Sequence, residues 1–314
     1  MNNNQPFPDG SRICFLGDSI TAQNKYLTWI VDGYKNAFPT ADIRFYNCAF
    51  SGGTVSLLNN MFDTDVLPHK PTHIVIMCGV NDSNLFTLQQ PRSEARYTTL
   101  EKAYVAYQHN LEILCEKASS QGIEVLLMTP PPYDEYQPIS APVCHGGYAL
   151  LQGYADVMRC VASKYRCPMI DCHKYLTTVM QEQVIYKEDR VHPDDLGCYY
   201  IAKCFLESQS LSIRPFGSFP AYLEEWHSMV WSQRYIYAVE HMVLPKGKLT
   251  LEEKLAFVQK YLADRIWDVP GRRVSLNDFF KKIAENYLIC KPIEQELPGK
   301  IEKLYQHLTS VAIE

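Results

Sequence analysis

Short runs that are apolar at nearly every position alternate, over the first two thirds of the chain, with longer stretches in which apolar residues recur every three or four positions. RICFL (12–16), IRFYNC (43–48), THIVIMC (72–78) and IEVLLM (123–128) read as strands, and the weaker run Pro168–Asp171 as a fifth. The third and fourth runs are apolar almost throughout, as expected of parallel strands covered on both faces. Between the strands, Leu27, Ile30, Val31, Tyr34 and Phe38 form one helical stripe. Leu100, Tyr104, Tyr107, Leu111 and Leu114 form a second, and Leu151, Tyr154, Met158, Val161 and Tyr165 a third. That spacing places apolar groups on one helix face. Strand alternating with helix predicts right-handed crossovers and an open, doubly wound α/β sheet of about five strands. The binding crevice of such a sheet lies beyond the carboxyl ends of its strands.

From about Arg214 the pattern becomes helical, with no convincing strand. The predicted division is a catalytic domain over 1–213 and a helical C-terminal extension over 214–314. Thr250 and Glu253 make a capping box ahead of Leu255, Val258 and Leu262, and Ser275 can cap the run holding Phe279, Phe280 and Ile283. Trp226, Trp231, Trp267 and the Phe279–Phe280 pair read first as the core of this helical part. A lid or a contact between copies of the chain, giving a homo-oligomer, are the alternatives.

The net charge of −5 removes any general attraction for nucleic acid or for an anionic membrane. No apolar run approaches the roughly 20 residues that span a bilayer. MNNNQPFPDG has neither the basic segment nor the apolar core of a secretory signal, so a cytoplasmic location is expected. The eleven cysteines are scattered and odd in number, which suits free thiols better than a disulfide framework. Cys167, Cys172 and His173 are close in sequence, but their spacing fits no usual zinc site. No metal or other cofactor is expected.

Chemistry-bearing residues collect at the strand ends. The first strand runs into Gly17-Asp18-Ser19, the second into Ser51-Gly52-Gly53-Thr54 and the third into Gly79-Val80-Asn81-Asp82. Asp189-Arg190-Val191-His192-Pro193 follows the fifth strand and a helix. Each cluster has an ordinary structural reading. Ser19 can cap a helix, Gly52 and Gly53 can serve a turn, Asn81 and Asp82 can close an Asx turn, and His192 can be a loop residue. Taken singly, each of those is the better reading. Together they supply what acyl transfer needs. Ser19 is a hydroxyl nucleophile, His192 the base that takes its proton, and Asp189 the carboxylate that orients the imidazole. The Ser19 and Gly52 backbone N–H groups and the Asn81 side-chain amide are candidate oxyanion donors.

In this order the blocks resemble the GDSL/SGNH hydrolase family. GDSIT (17–21) looks like its first block, NCAFSGGT (47–54) its second, GVND (79–82) its third and DRVHP (189–193) its last. The resemblance covers about residues 10–210. It implies a flavodoxin-like, three-layer α/β/α fold and a serine esterase working through an acyl-enzyme without a metal. Gly53 stands where relatives often carry a polar residue, which predicts a looser or wider oxyanion edge.

The family resemblance points to a small acyl ester, first an acetylated sugar, as substrate. A lipid ester, an acyl-thioester, or a binding protein that keeps the fold are the alternatives. A metal-dependent phosphoesterase is disfavoured because Ile20 and Thr21 stand where a further ligand would be sought. The Pro- and Tyr-rich segment 129–148 follows the fourth strand. Tyr133, Tyr136 and His145 from it, with Asp18, are candidate substrate contacts, although a rigid surface loop explains the segment equally well.

Overall fold

The computed structural model describes residues 5–138, 142–242, 244–245, 247–264, 266–269, 272–275 and 278–310. They fall into two compact units, divided between Ser218 and Phe219. In the first unit, β1 (Arg12–Gly17), β2 (Arg44–Asn47), β3 (His73–Met77), β4 (Glu124–Met128) and β5 (Met169–Ile170) form one sheet in the order β2-β1-β3-β4-β5. Every pairing is parallel, with Ile13 of β1 opposite Phe45 on one side and His73 on the other. This is the flavodoxin-like order. Its switch point falls between β1 and β3, where the connections leave in opposite directions and a crevice opens at the strand ends.

Two apolar layers cover the sheet. On one face, Cys14, Leu16, Ile74, Ile76 and Leu127 pack with residues of α3 (Val55–Met61), α4 (Glu94–Ser120) and α5 (Gly147–Tyr165). On the other, Phe15 meets Phe205 at 5.7 Å and Phe45 meets Tyr34 at 5.1 Å between ring centres. Those partners belong to α2 (Lys25–Ala37) and α7 (Asp195–Ser208). The stripes of α2 and α5 are buried as their spacing predicts, except at their last residues, Phe38 and Tyr165, which are half-buried. In α4 the stripe holds only from Tyr107 onward, since Tyr104 is exposed and Leu100 half-buried. Over its first turns the 27-residue helix is mostly exposed, with Tyr104 set edge-on against Tyr154 at 5.7 Å.

The second unit differs from expectation. It holds α8 (Ala221–Met242), α9 (Leu251–Asp264), α10 (Asp278–Cys290) and α11 (Leu297–Ser310). It also holds an antiparallel hairpin of β6 (Ile266–Val269) and β7 (Arg272–Ser275). Pro270-Gly271, which the sequence offers as punctuation between helices, lies outside the described residues. Ser275 is the last residue of β7 rather than a helix cap. The capping box does form, with Thr250 N–H donating to Glu253 at 2.7 Å and Glu253 N–H to the Thr250 hydroxyl at 3.2 Å. Trp226 is fully buried with its ring edge toward Tyr305, and Trp231 packs on Tyr235. Both therefore serve the core of this unit. The side chains of Trp267, Phe279 and Phe280 lie outside the described residues.

Candidate active site

β1 carries the chain to the sheet edge and a short helix, α1 (Ser19–Ala22), begins at once. Asp18 caps it, accepting the Ile20 N–H at 2.9 Å. This sharp strand-to-helix turn leaves Ser19 half-buried at the crevice. Its Oγ lies 2.7 Å from His192 Nε2, and His192 Nδ1 lies 2.7 Å from Asp189 Oδ2. With the carboxylate taking the Nδ1 hydrogen, Nε2 is left to accept the serine proton. Asp189 Oδ1 also accepts the backbone N–H groups of Val191 and His192, at 3.0 and 2.8 Å. Burial would raise the Asp189 carboxyl, but hydrogen bonds from the His192 ring and backbone outweigh it and hold the group at about 2. It stays ionised, ready to stabilise an imidazolium.

The oxyanion side is braced to the same turn. Phe50 N–H donates to the Gly17 carbonyl at 3.0 Å, and Gly53 N–H to the Phe50 carbonyl at 2.7 Å. Asn47 adds a buried bond from its amide to the Thr21 carbonyl at 2.9 Å. Asn81 donates one amide hydrogen to the Gly53 carbonyl at 3.1 Å, which leaves the second for a ligand. Gly52 sits at φ +80°, a conformation that favours glycine. Gly53 does not loosen this edge. A Cβ there would stand 2.7 Å from the Phe50 carbonyl oxygen and 2.9 Å from that of Gly17, so the chain passes too close to the nucleophile turn for any side chain.

Asp18 lies buried beneath the nucleophile turn. Its carboxylate is enclosed and committed to the Ile20 N–H. Burial raises it to about 6, despite the lowering effects of that N–H and of His192. The folded carboxyl thus keeps its proton to about pH 6 while the unfolded one loses it near about 4. Its contribution to stability is complete below about pH 4 and lost as pH rises through about 6, a fall of roughly 3 kcal/mol. Asp18→Asn, which keeps the acceptor, is expected to flatten that part of the stability–pH curve. Urea unfolding between pH 4 and 7 measures it, and equal slopes for the two proteins would remove the assignment. Asp189 acts oppositely and in a more acid window, its contribution being lost as pH falls toward about 2.

The other sequence candidates scatter. Tyr133 is buried and its hydroxyl accepts the Cys144 N–H at 2.8 Å, which braces the loop. Tyr136 is exposed with its ring 5.8 Å from Tyr148, and His145 is exposed with Nδ1 3.7 Å from Glu135. Arg190 had drawn no role from the sequence. Buried at φ +63°, it donates to the carbonyls of Asp134 and Gln137 at 3.1 and 3.0 Å, and its own carbonyl accepts the Asp134 N–H. It fastens the Tyr-rich loop to the segment bearing Asp189 and His192. An arginine between those two residues was the available signal. Cys167, Cys172 and His173 do not bring donor atoms together among the described residues.

Residues 15–198, more than half of the chain, match the GDSL-like lipase/acylhydrolase family. The chain belongs to the GDSL/SGNH hydrolase family. An acetylxylan esterase of Geobacillus stearothermophilus is 25% identical over 219 residues, covering 63% of this chain and 93% of the relative. The solved structure of an acetylxylan esterase from that organism covers 69% of this chain and all of its own, with a TM-score of 0.55 at 21% identity. A gut microbial diltiazem-metabolizing enzyme shares the fold over 98% of this chain and 97% of its own, with a TM-score of 0.75 at 15% identity. This SGNH hydrolase is a carboxylic ester hydrolase. The four blocks that define the family in sequence all lie within the matched residues.

Proposed function

We propose that this hydrolase removes acetyl groups from a carbohydrate through an acyl-enzyme formed on Ser19. The observation that carries the reading is the unbroken chain Ser19 Oγ, His192, Asp189, with both links at 2.7 Å. His192 Nε2 takes the hydroxyl proton as Oγ attacks the ester carbonyl. The Ser19 and Gly52 backbone N–H groups and the free Asn81 amide hydrogen then hold the tetrahedral oxyanion. Each such donor is typically worth about 2.7–4 kcal/mol in the transition state. The imidazolium, stabilised by ionised Asp189, returns its proton to the leaving sugar oxygen. A water deprotonated by the same ring then releases acetate and restores Ser19.

The acetyl and carbohydrate assignments are supported by the acetylxylan esterase relative, whose length this chain covers almost entirely. A panel of acetylated xylo-oligosaccharides and other acetylated sugars, longer acyl esters and acyl-thioesters tests them, with Ser19→Ala as the blank. Acetylated sugars are expected to give the highest kcat/KM. Preference for long acyl chains or thioesters would reject the carbohydrate reading while leaving the serine chemistry standing.

A further inference from the structure

A second cluster of reactive side chains lies outside the catalytic residues. Cys48 directly follows β2 and is buried. Asp65, also buried, lies in the π-helical turn Phe62–Val66 that continues α3, and half-buried His69 ends the next turn, Leu67–His69. One ligating atom from each of the three falls within 4.8 Å of the other two. We propose that Cys48, Asp65 and His69 bind a divalent transition cation of the zinc class.

The donor set selects that class. A sulfur, an imidazole nitrogen and a carboxylate oxygen suit a borderline-soft ion, whereas Mg²⁺ and Ca²⁺ take shells of oxygen. The positions are held independently of any ion. The Cys48 thiol donates to the Asp65 carbonyl at 3.6 Å. The His69 ring stacks on Tyr46 at 4.4 Å, and its carbonyl accepts Arg12 Nε at 2.5 Å. The Arg12 guanidinium in turn lies 5.0 Å from the Tyr46 ring centre. Burial, then Cys14, keep the Cys48 thiol protonated in the absence of a cation. Binding therefore exchanges the S–H proton, released to solvent, for a metal–thiolate bond.

The site spans residues 48–69 and so closes the segment that carries Gly52 and Gly53. Its role is to tie that segment down, and no step of ester hydrolysis passes through the ion. Titration of the purified full chain with Co²⁺ tests the proposal. One equivalent is expected to produce a near-ultraviolet thiolate charge-transfer band and visible bands of tetrahedral type, both abolished by one equivalent of Zn²⁺. Zn²⁺ should also raise the thermal midpoint. Cys48→Ser should lose the charge-transfer band. His69→Gln, at a half-exposed position where folding is safe, should weaken Zn²⁺ binding by at least roughly tenfold. Ser19→Ala should bind like the parent, so failure of the metal site and failure of the esterase reading are separable. A folded parent that gives no thiolate band would overturn the site. A band that survives in both variants would do the same, by placing the ion on another thiol such as exposed Cys160.

Discussion

Ser19→Ala is expected to reduce p-nitrophenyl acetate turnover by on the order of 10⁶-fold while the circular dichroism spectrum and thermal midpoint stay near those of the parent. The magnitude is that of removing a nucleophile whose base and orienting carboxylate remain in place. The fold should tolerate the change because the turn is held by other groups. Asp18 caps α1, and Phe50 and Asn47 bond to backbone oxygens on either side of the serine. Loss of Oγ removes one hydrogen bond, that to His192. His192→Ala should fall about as far. Asp189→Ala should fall less, by roughly 10⁴-fold, since the imidazole can still accept a proton once the carboxylate is gone. Turnover within tenfold of the parent in a folded Ser19→Ala protein would eliminate the serine mechanism.

The second large effect is expected at a residue with no side chain. Gly53→Ala places a methyl group 2.7 Å from one backbone carbonyl oxygen and 2.9 Å from another, and neither can rotate away. The chain must shift, and with it the Gly52 N–H and the Gly53 carbonyl that positions Asn81. A loss of about 2–4 kcal/mol in stability is expected from overpacking against fixed backbone. Displacing even one oxyanion donor adds a fall in kcat of roughly 10²–10³-fold. Urea unfolding together with steady-state kinetics separates the two parts. Parent-like values in both measurements would show that the loop is free to relax, contrary to the hydrogen bonds that tether it.

The sheet was legible because its strands are apolar at consecutive positions and its helices at every third or fourth, patterns set by burial on two faces or on one. Four of the five strands are plain on that ground. β5, only Met169 and Ile170, was faint because two residues carry no period. β6 and β7 escaped for a related reason, since strands of four residues are too short to show a period. At the site, Ser19, His192 and Asp189 are adjacent as their motifs suggested. The substrate candidates fared differently because the sequence pattern does not tell which way a loop tyrosine turns. Tyr133 turned inward to hold a backbone N–H and Tyr136 outward to solvent. Asp18, which caps α1, and Gly53, where a Cβ would meet two backbone oxygens, both answer to close backbone approaches that only three-dimensional packing creates. Arg190 was hidden by its position between two better-known residues.

The hydrogen bond between Ser19 and His192 joins residues 173 positions apart. During synthesis the candidate nucleophile, its cap and both candidate oxyanion segments are therefore made long before the candidate base. A chain that ends after β5 but before residue 192 can lay down β1 through β5, the candidate donors and a serine hydroxyl, yet it lacks the histidine that would take the proton from that hydroxyl. Under the proposed mechanism reactivity thus arrives as a late event in the making of the first unit, and an incomplete chain carries an unactivated alcohol.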